Sequence, residues 1–169
     1  MYNEKMLNEL HLEMIKYDSF DPKRIQHFCK VHGYAKLIAE CEGVDEDTRF
    51  ILETAALTHD IGIKYCEEKF GKCNGKMQEE EGPVLAEEML VRLGFPREVI
   101  DRVKFLIAHH HTYADIDGID YAILLEADFI VNIYEDEMTS GAVRDAYKKV
   151  FVTETGKRIM EKSFYVVSL

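Results

Sequence analysis

The 169-residue chain is predicted to fold as one all-α domain. Apolar residues recur at helical spacing along most of its length, whereas alternation with a period of two, bounded by turn signals, is not found. The sequence contains only three prolines, no internal repeat and no segment of low complexity. A chain of this length is expected to form a single domain that buries roughly 70% of its unfolded surface. Such a core is stable without disulfides or structural metal ions.

Start and stop signals divide the chain into helices. Asp21 provides an N-cap and Pro22 occupies the first helical position, and Asp45 or Asp47 can cap the next helix. In chain order, helices are predicted over residues 3–17, 22–41, about 45–62, 78–93, 96–110, 119–134, and from 140 to the C-terminus with a candidate break near Thr153. The polar segments 64–76 and 112–118 are predicted to be loops.

The charge balance excludes some partners. The 21 Lys and Arg residues against 32 Asp and Glu give a formal net charge of −11, which repels a nucleic acid polymer or an anionic membrane. No apolar run approaches the ~20 residues that span a bilayer. The N-terminus lacks a basic stretch followed by an apolar run, and the four cysteines form no Cys-x-x-Cys pair. We therefore expect no signal peptide and a reduced, cytoplasmic protein that acts on a small molecule.

Three histidines fall on the apolar faces of different predicted helices. His27, His59 and His110 each lie in phase with apolar neighbours three, four or seven residues away. Asp60 directly follows His59, and Asp128 lies within the strongly apolar helix. A carboxylate on such a face costs several kcal/mol unless a cation or hydrogen-bond donors meet it. Either Asp128 has a partner, or the helix turns it outward.

Each of these features has a plain structural explanation when taken alone. A single histidine on an apolar stripe is usually a core residue whose ring nitrogens are hydrogen-bonded, and a His-Asp dipeptide arises readily by chance. The triplet at 109–111 suits a polar helix end, and the acidic run at 79–81 suits a solvated first turn. Together, however, imidazoles and carboxylates on several helices of one bundle form a ligand set for Zn, Fe, Mn, Co or Ni.

The chain order of these residues resembles the HD-domain superfamily of metal-dependent phosphohydrolases. The resemblance is carried by the segments Arg24-x-x-His27, Leu57-Thr-His59-Asp60-Ile-Gly62, His110 and Glu126-Ala-Asp128. It covers about residues 20–135 and implies an HD-type helical bundle within a single domain over 1–169. It also implies that one divalent ion (Mn, Fe, Co, Ni, Zn or Mg) is bound by His27, His59, Asp60 and Asp128.

Two departures narrow the function that this resemblance implies. Gln78 stands where members with a second metal often carry a histidine, so a second ion would depend on residues such as His110 and Glu81. Ile63, followed by Lys64, replaces the lysine of the cyclic-dinucleotide branch, and the Gly-Tyr-Pro signature of that branch does not follow the histidine triplet. A cyclic-dinucleotide phosphodiesterase is therefore not expected.

The expected activity is hydrolysis of a phosphate ester of a nucleotide or related small molecule, as a phosphomonoesterase or a phosphodiesterase. Asp60 would orient or deprotonate the attacking water. Arg24, Lys64 and His110 are candidates for phosphate or leaving-group contacts, although a surface arginine and a solvated lysine are the plainer interpretations of the first two. The segments 64–78 and 111–118 would shape the pocket mouth.

The sequence is also compatible with two other functions. One is a nucleotide-sensing or interaction module with a structural metal. The other is a di-iron HD-type oxygenase, which Gln78 disfavours because that chemistry needs a complete second iron site. The apolar surface of residues 3–17 and 164–169 can pack on the domain or on a second copy, so a homodimer is also an open expectation.

Overall fold

The computed structural model describes residues 4–164, and these form nine α-helices and no β-strand. The helices are α1 (Glu4–Tyr17), α2 (Pro22–Cys41), α3 (Glu46–Thr58), α4 (Gly62–Phe70), α5 (Gly75–Arg92), α6 (Arg97–Ile107), α7 (Ile119–Glu135), α8 (Ser140–Val150) and α9 (Glu154–Phe164). The predicted all-α fold class is confirmed. The predicted first helix includes residue 3 and the last continues past Phe164, and those parts lie outside the described residues.

The predicted caps explain where two helices begin. The carboxylate of Asp21 accepts a hydrogen bond from the backbone N–H of Arg24 at 3.0 Å, and Pro22 opens α2. Asp45 rather than Asp47 caps α3, accepting from the N–H of Thr48 at 2.9 Å. Each side chain satisfies one of the N–H groups that the first helical turn leaves unpaired.

The loop predicted at 64–76 is wrong over most of its length, because α4 occupies Gly62–Phe70. This short helix buries little more than Gly62 and Cys66, and its solvent-facing residues made the segment look irregular. Gly71 ends the helix in a left-handed conformation with φ of 69°. The helix predicted at about 45–62 accordingly ends early, at Thr58.

Two further boundaries differ from the prediction. α6 ends at Ile107, so the histidine triplet lies in the turn that follows the helix. α5 begins at Gly75, which places the acidic residues 79–81 beyond its first turn. Within that run, Glu79 accepts hydrogen bonds from the backbone N–H of His111 and the hydroxyl of Thr112, both at 3.0 Å. Glu79 therefore anchors the loop after α6, and the interpretation as a solvated first turn is wrong for this residue.

The apolar helix α7 forms the centre of the bundle, because almost all of its residues are buried. It packs on α2 and α3, which also pack on each other, while α4, α5 and α6 form a neighbouring layer. α4 and α5 approach closely where Gly62 meets Gly82: a Cβ on Gly62 would lie 3.1 Å from the Gly82 backbone nitrogen. No helix in the described range is both long and apolar enough to cross a membrane.

Candidate metal centre

The four predicted ligands come together at the junction of α2, α7 and the α3–α4 turn. Nε2 of His27 lies 3.3 Å from Nε2 of His59, 3.3 Å from Oδ2 of Asp60 and 3.2 Å from Oδ1 of Asp128. Nε2 of His59 lies 3.5 Å from each of the same two carboxylate oxygens. The two histidines and Asp128 are buried, and Asp60 is largely so. Each of the two imidazole nitrogens thus lies within 3.5 Å of a carboxylate oxygen from Asp60 and of one from Asp128.

The local structure fixes which nitrogen of each imidazole faces this point. His59 caps the C-terminus of α3, and its Nδ1 lies 2.9 Å from the Ala56 carbonyl oxygen. Nδ1 of His27 lies 2.8 Å from a carboxylate oxygen of Glu135 at the end of α7. Both partners accept hydrogen bonds, so in the neutral rings Nδ1 carries the proton and Nε2 presents its lone pair to the centre.

The donor set fits a divalent cation. Two imidazole lone pairs and two carboxylates converging in a buried pocket repel one another unless protons or a cation stand between them. Ligands bound tetrahedrally at about 2.0–2.2 Å lie about 3.3–3.6 Å apart. The observed separations of 3.2–3.5 Å match that spacing. His27, His59 and Asp60 therefore present donor atoms close enough together to hold one ion, and Asp128, within 3.5 Å of both histidines, is the candidate for a fourth ligand.

The titration of these groups reflects the same concentration of charge. Burial opposes charging, but Asp60 and Asp128 outweigh it and raise the pKa of His59 to about 9. They also raise the pKa of His27. Burial of the two aspartates favours their neutral forms, but the histidines outweigh it. They lower the pKa of Asp60 to about 2 and hold the pKa of Asp128 far below its ordinary value. Without a metal, protons on the histidines would neutralise the carboxylates, and an ion would replace those protons.

Two residues that hold the candidate ligands in place were not predicted from the sequence. Glu135 bonds His27 and forms an ion pair with Lys30 at 2.5 Å. The side-chain amide of Asn132 donates to Oδ1 of Asp128 at 2.9 Å. Asn132 and Glu135 lie four and seven residues after Asp128, on the same face of α7. Their helical spacing from Asp128 could therefore have identified them in the sequence.

A second group of ligand-type residues adjoins the first through Asp60. His110 is buried as predicted, and its Nε2 lies 3.5 Å from Oδ1 of Asp60. Asp60, His110 and His111 present donor atoms close enough together to hold a metal ion. Gln78 bonds both histidines, with its carbonyl oxygen 3.3 Å from Nε2 of His110 and 3.0 Å from Nε2 of His111. The structure thus adds His111 to this group, whereas Glu81 is not among its members.

The structure places Arg24 and Lys64 beside the centre, each with other partners. The Arg24 guanidinium lies 2.9 Å from Glu67 and within 4 Å of Asp18 and Asp21. The Lys64 ammonium donates to the Tyr17 carbonyl at 2.7 Å. Neither basic group contacts the four ligands in this arrangement, so a role in substrate contact requires it to exchange partners.

A cavity of about 200 Å³ opens onto two of the four candidate ligands, His27 and Asp60. It is lined by Asp21, Lys23, Arg24, His27, Asp60, Ile63, Asn132, Glu135 and Asp136. Larger depressions exist, such as one of about 680 Å³ between α7, α8 and α9, but their linings contain none of the four predicted ligands. The small cavity thus gives access to the side chains of His27 and Asp60.

Comparison with known proteins agrees with this fold. The family model for the HD domain matches residues 24–147, and the chain belongs to this family. It is similar to a predicted HD superfamily hydrolase from an uncultured Thermotogales bacterium, whose crystal structure was determined at 1.45 Å resolution. The two chains share 27% identity with a TM-score of 0.63, over 96% of this chain and 84% of the other. No curated protein matches the chain.

Proposed function

We propose that the protein is a metal-dependent phosphohydrolase that acts on a phosphate ester of a nucleotide or related small molecule. The coarser class, a metal-dependent hydrolase of HD type, is supported by the family match and by the similar hydrolase. The observation that carries the proposal is the convergence of His27, His59, Asp60 and Asp128 beside an open cavity. At about 200 Å³, that cavity is below the ~300–1,000 Å³ typical of sites for drug-sized ligands, which favours a small ester.

A divalent ion held by these four side chains would lower the pKa of water and offset negative charge on the phosphoryl group. The protein contributes orientation. Asp60 directs Oδ2 toward His27 and His59 and Oδ1 toward His110, so its carboxylate can align the attacking water while serving as a ligand. His27 and His59 are themselves held by Glu135 and Ala56, which keeps the donor atoms fixed.

His110 is proposed to supply the proton for the leaving group. Its Nδ1 lies 2.7 Å from the carbonyl oxygen of Ile107, so Nε2 is the nitrogen that faces Asp60 and the site. A protonated His110 can donate from Nε2 to an ester oxygen and then recover a proton from solvent. His110 can have this role only if the centre binds a single ion, so that its Nε2 is not itself a metal ligand.

Arg24 and Lys64 are proposed to contact the phosphate. Arg24 lines the cavity, and a substrate phosphate would compete for its guanidinium with Glu67, the exposed carboxylate among its three partners. Lys64 would have to release the Tyr17 carbonyl. A second ion at Asp60, His110 and His111 is the alternative way to neutralise the phosphate.

The test combines metal analysis with phosphate release from a panel of nucleotides and small phosphate esters. We expect about one ion per chain and turnover that Asp60→Ala abolishes together with metal binding. His109→Ala is the matched control, because His109 adjoins His110 but bonds the Phe105 carbonyl. Full activity and full metal content in Asp60→Ala would refute the site.

The same experiment separates the other functions. Bound metal without turnover on any ester favours a sensing or interaction module. Two irons per chain with no hydrolysis favours the oxygenase, which the group around His110 and His111 keeps open. Cytoplasmic location and the absence of a polymer or membrane partner stay predictions from the charge and the sequence.

A further inference from the structure

A buried aspartate lies beside Arg24, one of the two basic groups proposed to contact the phosphate. Asp18 is in the turn between α1 and α2, and its side chain is only 2% exposed. The turn fixes its backbone, since the N–H of Asp18 donates to the Met14 carbonyl and the Asp18 carbonyl accepts from the N–H of Asp21, both at 3.0 Å. The Asp18 carboxylate is therefore held next to Arg24 by the local structure.

One oxygen of this carboxylate lacks a hydrogen bond. Among the described residues, none donates to Oδ1 of Asp18, although this atom is buried. Nη1 of Arg24 lies 3.9 Å from it, which is too long for a hydrogen bond. Burial raises the pKa of Asp18 to about 6 against the opposing charges of Arg24 and Lys64, so the group is mainly charged at neutral pH. A buried acceptor without a donor costs free energy, and a donor that reaches Oδ1 recovers it.

The other two carboxylates around Arg24 are already satisfied. Nη2 of Arg24 donates to Oε2 of Glu67 at 2.9 Å, and the Glu67 side chain is 51% exposed. Asp21 accepts from the backbone N–H of Arg24, so one of its oxygens serves as the cap of α2. Solvent competes for Glu67, so its pair with Arg24 is weak. Asp18, in contrast, is shielded from solvent and has an oxygen to offer.

We propose that Asp18 is a positioning residue that holds the Arg24 guanidinium for phosphate binding. The guanidinium leaves Glu67 and moves about 1 Å toward Asp18, so that Nη1 donates to Oδ1 in a charge-assisted hydrogen bond. The N–H groups on Nη2 and Nε are then left for the cavity that Arg24 lines together with His27 and Asp60. A guanidinium fixed in this way can present two parallel N–H groups to a phosphate. This inference rests on the proposed activity toward phosphate esters.

The substitution Asp18→Asn tests this role through the sign of its effect. It keeps the size of the side chain and one acceptor oxygen but removes the negative charge. If Asp18 acted on the phosphate directly, loss of its charge would remove repulsion and tighten binding. Because it acts through Arg24, we expect the KM for a phosphate ester and the Ki for inorganic phosphate each to rise about three- to tenfold. The kcat should change little, because a uniform loss of phosphate affinity raises KM alone.

Further variants distinguish positioning from a merely structural role. In an Arg24→Ala background, Asp18→Asn should raise KM no further, because the group through which Asp18 acts is gone. Glu67→Gln should lower KM, because it weakens the competitor of the phosphate. Glu68→Gln is the matched control, since Glu68 is the adjacent exposed carboxylate, and its KM should equal that of the wild-type protein. An unchanged or lower KM in Asp18→Asn, a further rise in the double variant, or a loss of bound metal in Asp18→Asn overturns the proposal.

A crystal structure of the metal-loaded wild-type protein with inorganic phosphate tests the same contact without a substitution, and it decides the question if Asp18→Asn does not fold. We expect phosphate beside Arg24, with Nη1 of Arg24 within about 3 Å of Oδ1 of Asp18. Phosphate bound while Arg24 remains on Glu67 refutes the role of Asp18 and leaves the phosphohydrolase proposal intact. No phosphate in the cavity, together with no turnover of any ester, refutes both.

Discussion

The carboxylate of Glu135 is expected to determine how tightly the HD centre holds its metal. It accepts from Nδ1 of His27 at 2.8 Å, and its side chain is 11% exposed. Glu135→Gln retains an oxygen that can accept the same hydrogen bond but removes the negative charge. The substitution therefore isolates the electrostatic support of His27, while a loss of packing is avoided because the two side chains are nearly isosteric.

The size of the effect follows from this geometry. A charged partner makes the imidazole a more basic ligand and fixes its tautomer, and loss of such partners weakens metal binding about 10- to 100-fold. That range corresponds to about 1.4–2.8 kcal/mol of binding free energy. Because Lys30 neutralises part of the Glu135 charge at 2.5 Å, we expect a value near the lower end.

The assay is competition between the protein and a chromophoric chelator for Co²⁺ or Zn²⁺, with Glu137→Gln as the control. Glu137 lies two residues further on, is exposed and does not line the cavity of the centre. We expect Glu137→Gln to bind metal as the wild-type protein does. Equal affinities in the wild-type protein and Glu135→Gln, or equal losses in both variants, would refute the reasoning.

Three further predictions concern stability. The pKa of His59 is raised to about 9 in the fold, so protonation of His59 stabilises the metal-free protein fully below pH 6.5, and this stabilisation is lost as the pH rises through 9. Calorimetry should therefore show the melting temperature of the metal-free protein falling over that pH range, whereas the metal-bound protein should not show this fall. Glu126 accepts hydrogen bonds from the backbone N–H groups of Val152 and Thr153 at 2.7 and 2.8 Å, and Glu126→Ala leaves both groups without this acceptor. We expect the substitution to lower the free energy of unfolding, measured in urea, by about 3–5 kcal/mol, and Glu126→Gln to lower it less. Gly82→Ala places a Cβ 2.8 Å from Cγ2 of Ile107 and should cost about 1–3 kcal/mol by the same measurement.

Helical phase predicted the inner ligands of the centre because burial of a charged group leaves a clear signal. A histidine or aspartate within an apolar stripe costs free energy unless something compensates it, so such residues stand out in one sequence. Asp128 was the clearest case, and it meets both His27 and His59. The supporting residues gave a weaker signal, because Glu135 at a helix end looks like an ordinary solvated carboxylate until the approach of His27 is known.

Local polarity misled the prediction where tertiary contacts override it. α4 is mostly polar, yet it forms because its glycine can pack against α5 at Gly82, a contact that no local pattern encodes. His110 falls in helical phase with Val103, Leu106 and Ile107, which predicted a helix longer than the one that ends at Ile107. The chain instead turns there, and the carboxylate of Glu79 holds the turn through His111 and Thr112. Long-range contacts of this kind fix element ends that periodicity alone places several residues away.

The number of bound ions and the role of His110 are linked through Asp60. Both oxygens of Asp60 are engaged, Oδ2 with His27 and His59 and Oδ1 with His110. If one ion binds, Nε2 of His110 is not a metal ligand and can carry the proton for the leaving group, and His110→Ala should reduce turnover without changing metal content. If a second ion binds, the same nitrogen is a ligand, and His110→Ala should remove one of two ions. One imidazole nitrogen cannot do both at once, so metal content measured beside turnover in this variant assigns its role.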